Sequence, residues 1–374
     1  MLNGMFIEAH IADLHFGAME PNEQYKILKE QFLDKLYEIP ILDIVSICGD
    51  IFHHKFMANS NVIYIASYFI TQLISICEQK NATLLILSGT YSHDADQIKL
   101  FYPLAEQVKG RVDVRIIEEA RFEYVKGKKI LCIPELYGKG KTYYENLLFG
   151  QGPYDMCIMH GTYVNSVYGK IVPNLDAERE PIFCMNDFNL CLGPIISGHI
   201  HQPQCYDKHF YYCGSPYRWQ FGDEPTKGFI WLLQDTVSHT YVVKYEEIIS
   251  DKYITLNLDD LIDNKPEDTI SFINNYREKE NIKYIRVVFT KSNLANINVI
   301  DTYFRNNKFV DIVNNSKNDN VVKTIDEVQE KYNEFEYIYD NNMTAEEKLV
   351  RYINDCKGYV MFTTEDLVNI LKDL

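Results

Sequence analysis

Short apolar, β-branched runs recur through the first two thirds of the chain, and five of them stop at residues able to bind a metal. Phe6–Ala12 ends in Asp13-Leu14-His15, Leu42–Cys48 ends in Gly49-Asp50, and Thr83–Leu87 leads to Gly89 and then His93-Asp94. Met156–Met159 runs into His160, and a last run closes on Ser197-Gly198-His199-Ile200-His201. Five such endings place carboxylates and imidazoles along one edge of a sheet, where open α/β layers bind their ligands. Between the runs, Glu23–Tyr37 and Asn61–Cys77 carry the 3.6-residue period of amphipathic helices, so a layered α/β architecture is expected. The later segments Phe210–Cys213, Gly228–Leu233 and Thr240–Val243 are short, aromatic and β-branched, which extends the sheet system with few helices to about residue 250.

Beyond that boundary the pattern becomes that of a smaller unit, predicted as an α+β domain over 251–313. Its strands are expected at Ile254–Leu256, Tyr284–Phe289 and Phe309–Val313, and its helices at Glu267–Lys279 and Ala295–Phe304. Residues 314–342 are rich in Asn, Asp, Glu and Lys and read as a linker. Over 343–374, Thr344-Ala345-Glu346-Glu347 makes a capping box, and Leu367, Ile370, Leu371 and Leu374 fall on one face of a second helix. Two short helices beyond a polar linker cannot cover both apolar faces by themselves, so this pair is expected to dock on another surface.

A chain of 374 residues with 46% hydrophobic content exceeds one core and implies two or three domains. No run of about 18 apolar residues is read anywhere in the chain, and Met1-Leu2-Asn3-Gly4 puts no basic segment before the first apolar run, so the expected location is the cytoplasm, with no membrane partner. The nine cysteines include no Cys-x-x-Cys pair, and those in apolar runs read as reduced, buried thiols. A net charge of −16 argues against gripping nucleic acid through bulk positive charge. It leaves room for a nuclease, because a pair of bound divalent cations is locally positive on any background.

Hydrolysis of a phosphodiester needs an activated water and neutralisation of charge on the phosphoryl oxygens, and two cations about 3.5–4 Å apart supply both. Such a pair needs one bridging carboxylate and terminal ligands on each side. Asp50, beside Gly49, suits the bridge. Asp13, His15 and one histidine of the Gly-His-x-His turn suit the first ion, while His160 and the other histidine suit the second.

The ordered set Asp-x-His, Gly-Asp, a loop carrying His-Asp, a lone His and Gly-His-x-His resembles the calcineurin-like metallophosphoesterase superfamily. Three segments narrow this to the SbcD type of DNA repair nuclease and its phage recombination counterparts: His10 to Gly17, Gly49 to His53, and Gly214-Ser215-Pro216 through Phe221-Gly222-Asp223-Glu224 to Lys227-Gly228-Phe229. The resemblance spans residues 5–245. It implies a four-layer β-sandwich flanked by helices in 1–250, a DNA-capping domain after it, and a C-terminal helical region that binds an SbcC-type coiled-coil ATPase. It also implies DNA as substrate, two divalent ions (manganese, with magnesium as the other option), a homodimer, and the host cytoplasm if the source is viral. On this resemblance Asp13, His15, Asp50 and His201 hold one ion, and Asp50, His160 and His199 the other. His53 then contacts the nucleotide, and His93 assists the leaving oxygen.

One departure stands out. The superfamily carries Gly-Asn-His-Asp at the third motif, with the Asn on the second ion, whereas this chain reads Gly89-Thr90-Tyr91-Ser92-His93-Asp94. Ser92 is the candidate replacement, and its neutral hydroxyl implies a second ion held more weakly than the first. Tyr217, Arg218 and Lys55 are candidates for substrate contact. The rival readings are a small-molecule phosphatase or cyclic-nucleotide phosphodiesterase using the same ions, and a weakly catalytic scaffold for an ATPase.

Overall fold

A computed structural model describes residues 4–315, apart from 137, 165, 167–180 and 224. Its strands follow the apolar runs: β1 (Met5–Ile11), β2 (Ile44–Cys48), β3 (Thr83–Leu87), β4 (Asp113–Ile117), β5 (Arg121–Val125), β6 (Lys128–Ile133) and β7 (Met156–His160) come first. The short pair β8 (Thr162–Tyr163) and β9 (Ile182–Phe183) follows, then β10 (Ile195–Gly198), β11 (Gln204–Tyr206), β12 (Phe210–Tyr212), β13 (Gly228–Asp235) and β14 (Tyr241–Glu247). Two six-stranded sheets result, in the orders β14-β13-β1-β2-β3-β4 and β11-β12-β10-β7-β6-β5. The inner strands β1 to β4 run parallel, as do β6, β7, β10 and β12, and antiparallel strands edge both sheets. The molecule is therefore mixed α/β.

The side-chain alternation of each strand divides its residues between two layers. Ile7, Ala9 and Ile11 face a helix-covered core with Phe32, Phe69 and Leu73, while Phe6 and Ala12 join Ile44, Leu85, Cys132, Ile158 and Ile196 between the sheets. A third cluster, around Leu131, Tyr144, Leu148, Phe183 and Phe210, covers the outer face of the second sheet. Strand β2 (Ile-Val-Ser-Ile-Cys) is buried along its whole length, as expected for a parallel strand covered on both faces. Each such Ile or Val contributes roughly 1.5–3 kcal/mol by leaving water. A polar pair also lies within the sandwich: Glu8 meets Lys128 of β6 at 2.6 Å, and His10 hydrogen-bonds Ser46 at 2.6 Å.

Helix α1 (Pro21–Leu28) continues through a π-helical turn at Lys29–Leu33 into α2 (Asp34–Glu38), so the expected helix over Glu23–Tyr37 is one helical stretch interrupted by a bulge. Helix α3 (Asn61–Lys80) starts where the Ser60 hydroxyl accepts from the Val62 amide, and it ends at left-handed Asn81. By length and composition alone α3 is apolar enough to cross a membrane, although no run of about 18 apolar residues was expected. Its apolar face packs on the first sheet, because Val62, Ala66, Phe69, Ile70, Leu73 and Cys77 line one stripe. Two short helices, α4 (Tyr102–Gln107) and α5 (Glu145–Phe149), complete the body.

The smaller unit has its own core around Ile273, Ile285, Val287, Phe289, Ile300 and Phe304. Strands β15 (Tyr253–Asn257), β16 (Tyr284–Phe289) and β17 (Val310–Asn314) alternate with α6 (Pro266–Lys279) and α7 (Leu294–Phe304). All three strands are parallel and in sequence order. This corrects the α+β expectation for the unit: each helix is a crossover that returns the chain in the same direction, which makes it α/β. The linker from 316 onward and the expected C-terminal helical pair, with its ATPase contact, lie outside the described residues.

Candidate metal centre

The parallel strands of both sheets end on one side of the sandwich, and the loops leaving β1, β2, β3, β6, β7 and β10 meet there. The β1 and β2 loops are stitched together by backbone bonds from Asp13 to Gly49, His15 to Asp50 and Phe16 to Ile51. Asp13, His15, Asp50 and His199 all have positive φ (52°, 43°, 53° and 89°), a conformation that side chains enter only at a cost of about 1–3 kcal/mol each. Close packing leaves no room for a Cβ at two loop glycines. A Cβ on Gly49 would strike the His160 ring, and one on Gly89 would strike the amide and carboxylate of Asp50.

Two three-residue clusters result, Asp13/His15/His201 and Asp50/His160/His199, and within each the donor atoms lie within 4.8 Å of one another. Asp50 joins them. Its Oδ2 is 3.7 Å from His15 Nε2 and 3.4 Å from His160 Nε2, while its Oδ1 accepts from the Thr90 amide at 2.7 Å. The sequence-predicted ligands Asp13, His15, Asp50, His160, His199 and His201 thus come together although 188 positions separate the first from the last.

The donor set suits divalent ions. Asp13 Oδ2 and His15 Nδ1 are buried without a hydrogen-bond partner, and His15 Nε2 faces His201 Nε2 at 3.1 Å. His160 Nδ1 donates to the Cys48 carbonyl at 2.7 Å, which fixes the ring with Nε2 toward Asp50, the outer-shell orientation common to ligating histidines. Burial pushes the Asp13 carboxyl up to about 6, with the Asp50 charge acting in the same sense. Burial, aided by Lys227, lowers His201 to about 3, and burial also holds His15 well below its ordinary value. For Asp50 the effect of burial is outweighed by His160 and His15, so its carboxyl stays ionised. His160 is raised well above its ordinary value because Asp50, Asp13 and Glu135 outweigh its burial.

Several supporting residues surround the ligands; Asp94, Asp223 and Lys227 fall within the sequence motifs, whereas Trp219 and Glu135 were not singled out by them. Asp94 is fully buried and accepts from the amides of Ile51, Phe52 and Gly89 at 2.8, 3.1 and 2.8 Å, tying the second loop to the third. Lys227, buried against Asp223, donates to the His201 carbonyl at 2.8 Å. Trp219 packs its ring 5.0 Å from both His15 and His201. Glu135, just beyond β6, places Oε2 3.2 Å from His199 Nδ1 and 3.6 Å from His160 Nε2.

The remaining candidates fall in different places. His93 and His53 form a cluster with His15, and His93 Nδ1 bonds the His53 carbonyl. Ser92 is exposed, and it is Thr90 that meets the cluster: its hydroxyl lies 3.1 Å from Glu135 Oε2 and 3.4 Å from both Asp50 Oδ2 and His160 Nε2. Tyr217 is fully buried, bonding the Leu14 carbonyl and accepting from Gln24, so it braces the first ligand loop and has no face to offer a base. Arg218 is half-buried with its amide and guanidinium on Ser250, and Lys55 is exposed two residues beyond His53.

No family model and no curated protein matches the chain. Fifteen chains of known structure do. One of them is 11% identical, covers 65% of this chain and 99% of its own, and superposes with a TM-score of 0.38, a likeness that carries no argument.

Proposed function

We propose that this chain is a metal-dependent phosphodiesterase acting on DNA, the nuclease subunit of an SbcCD-like repair or recombination complex. The observation that carries the proposal is the single carboxylate of Asp50 set between two His/Asp clusters, the arrangement a dinuclear hydrolytic centre requires. Two facing sheets with helices outside, and ligands at the ends of parallel strands, agree with the metallophosphoesterase sandwich. Asp13, His15, Asp50 and His201 would hold one ion, and Asp50, His160 and His199 the other. Bound there, manganese or magnesium supplies an activated water at neutral pH and neutralises the phosphoryl oxygens.

The chain's own groups do the rest. His93 Nδ1 donates to the His53 carbonyl, which orients the ring so that a second proton, carried on Nε2, would pass to the leaving oxygen. Trp219 covers His15 and His201 on one side and keeps water from their outer edges. Asp94 holds the amides of Ile51 and Phe52, so the Asp50 turn keeps its shape when the carboxylate is loaded.

The test is Asp50→Asn. It should lower manganese-dependent cleavage of linear DNA by at least about a thousandfold, the upper range for removing one well-placed electrostatic group, with far-UV circular dichroism unchanged. Cleavage at the wild-type rate would remove the assignment. Comparing turnover on DNA, bis-p-nitrophenyl phosphate and p-nitrophenyl phosphate separates a nuclease from a small-molecule phosphatase.

A further inference from the structure

The second ion's site departs from the pattern implied by resemblance, and the departure reaches further than a lost amide. Around Asp50 Oδ2 and His160 Nε2, 3.4 Å apart, stand Glu135 Oε2, the Thr90 hydroxyl and His199 Nδ1. The separations from Glu135 Oε2 are 3.1 Å to Thr90, 3.2 Å to His199 and 3.6 Å to His160. A cation about 2.1 Å from each of its donors sets neighbouring donors roughly 3.0 Å apart in octahedral and 3.4 Å apart in tetrahedral geometry. The observed edges run from 3.1 to 3.6 Å, at or just above that range.

Glu135 reaches the site by construction. The β6–β7 register pairs Ile133 with Met159, so the residue two beyond Ile133 emerges beside the end of β7, where His160 and Gly161 stand. Its side chain is 6% exposed, and burying a carboxylate to that degree requires a cation or several donors around it.

Resting on the metal-centre reading above, we propose that Glu135 is an anionic ligand of the second ion, with Thr90 beside it, in place of the neutral amide the motif lacks. The donors then carry three carboxylates for two divalent ions, and the added charge raises affinity where the sequence alone implied the weaker site. Ligand charge count tunes affinity in this sense at other oxygen-rich cation sites. Ser92, exposed on the same loop, takes no part.

The experiment is a manganese titration of the full chain by calorimetry, with electron paramagnetic resonance to detect spin coupling between paired ions. The wild type should take up two equivalents with a coupled spectrum. Glu135→Ala should retain one tight equivalent, lose the coupled spectrum and bind the second at least about tenfold more weakly. Glu135→Gln, an amide of the same length, should recover part of that loss and serves as the test if the alanine variant does not fold, while Ser92→Ala should match the wild type. Two equivalents at wild-type affinity in the Glu135 variants, or loss of the second ion in Ser92→Ala, would overturn the Glu135 assignment and leave the metal centre standing. A wild type that binds no manganese would overturn the metal centre itself, and this assignment with it.

Discussion

The two halves of the centre use the same residue types to opposite electrostatic ends. Around Asp13, His15 and His201 the walls are aromatic: Trp219 lies over two of the rings, and His93 packs edge-on to His15 at 4.7 Å. Burial there dominates, so His15 and His201 stay unprotonated with lone pairs ready for a cation. Around His160 the neighbours are Asp50, Asp13 and Glu135, and their charge overrides the same burial. In the first half burial favours the neutral rings that an ion needs, whereas in the second the surrounding carboxylates favour the protonated ring, so an ion and a proton compete for His160. An imidazole's readiness as a ligand is therefore set by the walls around it.

Three substitutions test this contrast. The largest effect is expected at Gly89→Ala, where the new methyl group meets the amide and carboxylate of Asp50 and displaces the shared ligand. Cleavage should fall by about a hundredfold, the scale of an ångström-sized misplacement, and retained activity would mean that Asp50 does not sit where the two halves meet. Next, Trp219→Ala removes the wall of the first half only. It should lower stability by roughly 3 kcal/mol in thermal unfolding and weaken one manganese equivalent by about tenfold while sparing the other. Equal weakening of both ions would show that the wall is not particular to one half.

The smallest effect concerns protons. His201 titrates at about 3 in the folded chain against an ordinary value of 6.5, so between those values the unfolded chain binds more protons. The stability this group contributes is complete above pH 6.5 and is lost as pH falls toward 3. Urea unfolding of metal-free protein should then show the gap between wild type and His201→Gln narrowing as the solution is acidified, by up to about 1.4 kcal/mol per pH unit. A gap that stays constant would mean that His201 is not desolvated.

Much of the site was legible because each of its six principal ligands lies at or just after an apolar run, several next to a glycine, and strand ends collect on one edge of a parallel sheet. Glu135 follows such a run as well, after Ile133-Pro134, but a lone acid beyond a proline resembles any surface turn. Thr90 and Ser92 are equally polar on paper. What separates them is a turn that directs the first at Asp50 and leaves the second in solvent. Tyr217 read as a candidate for substrate contact because its neighbours are polar and aromatic, and only the packing shows its hydroxyl spent on Leu14 and Gln24. Likewise Glu8 and His10 interrupt an apolar strand, yet they face inward, where Lys128 and Ser46 of other strands receive them.

Local periodicity and residue type were enough to specify the alternation of strand and helix, the separate small unit after residue 250, and the chemical identity of most donors. Folding set which donors cluster together, which carboxylate stands between the clusters, and that Glu135 lies beside His160 and His199. Those relations are distances between residues far apart in the chain. They are set by strand order, by the packing of one sheet on the other, and by positive φ angles that only the assembled core can sustain.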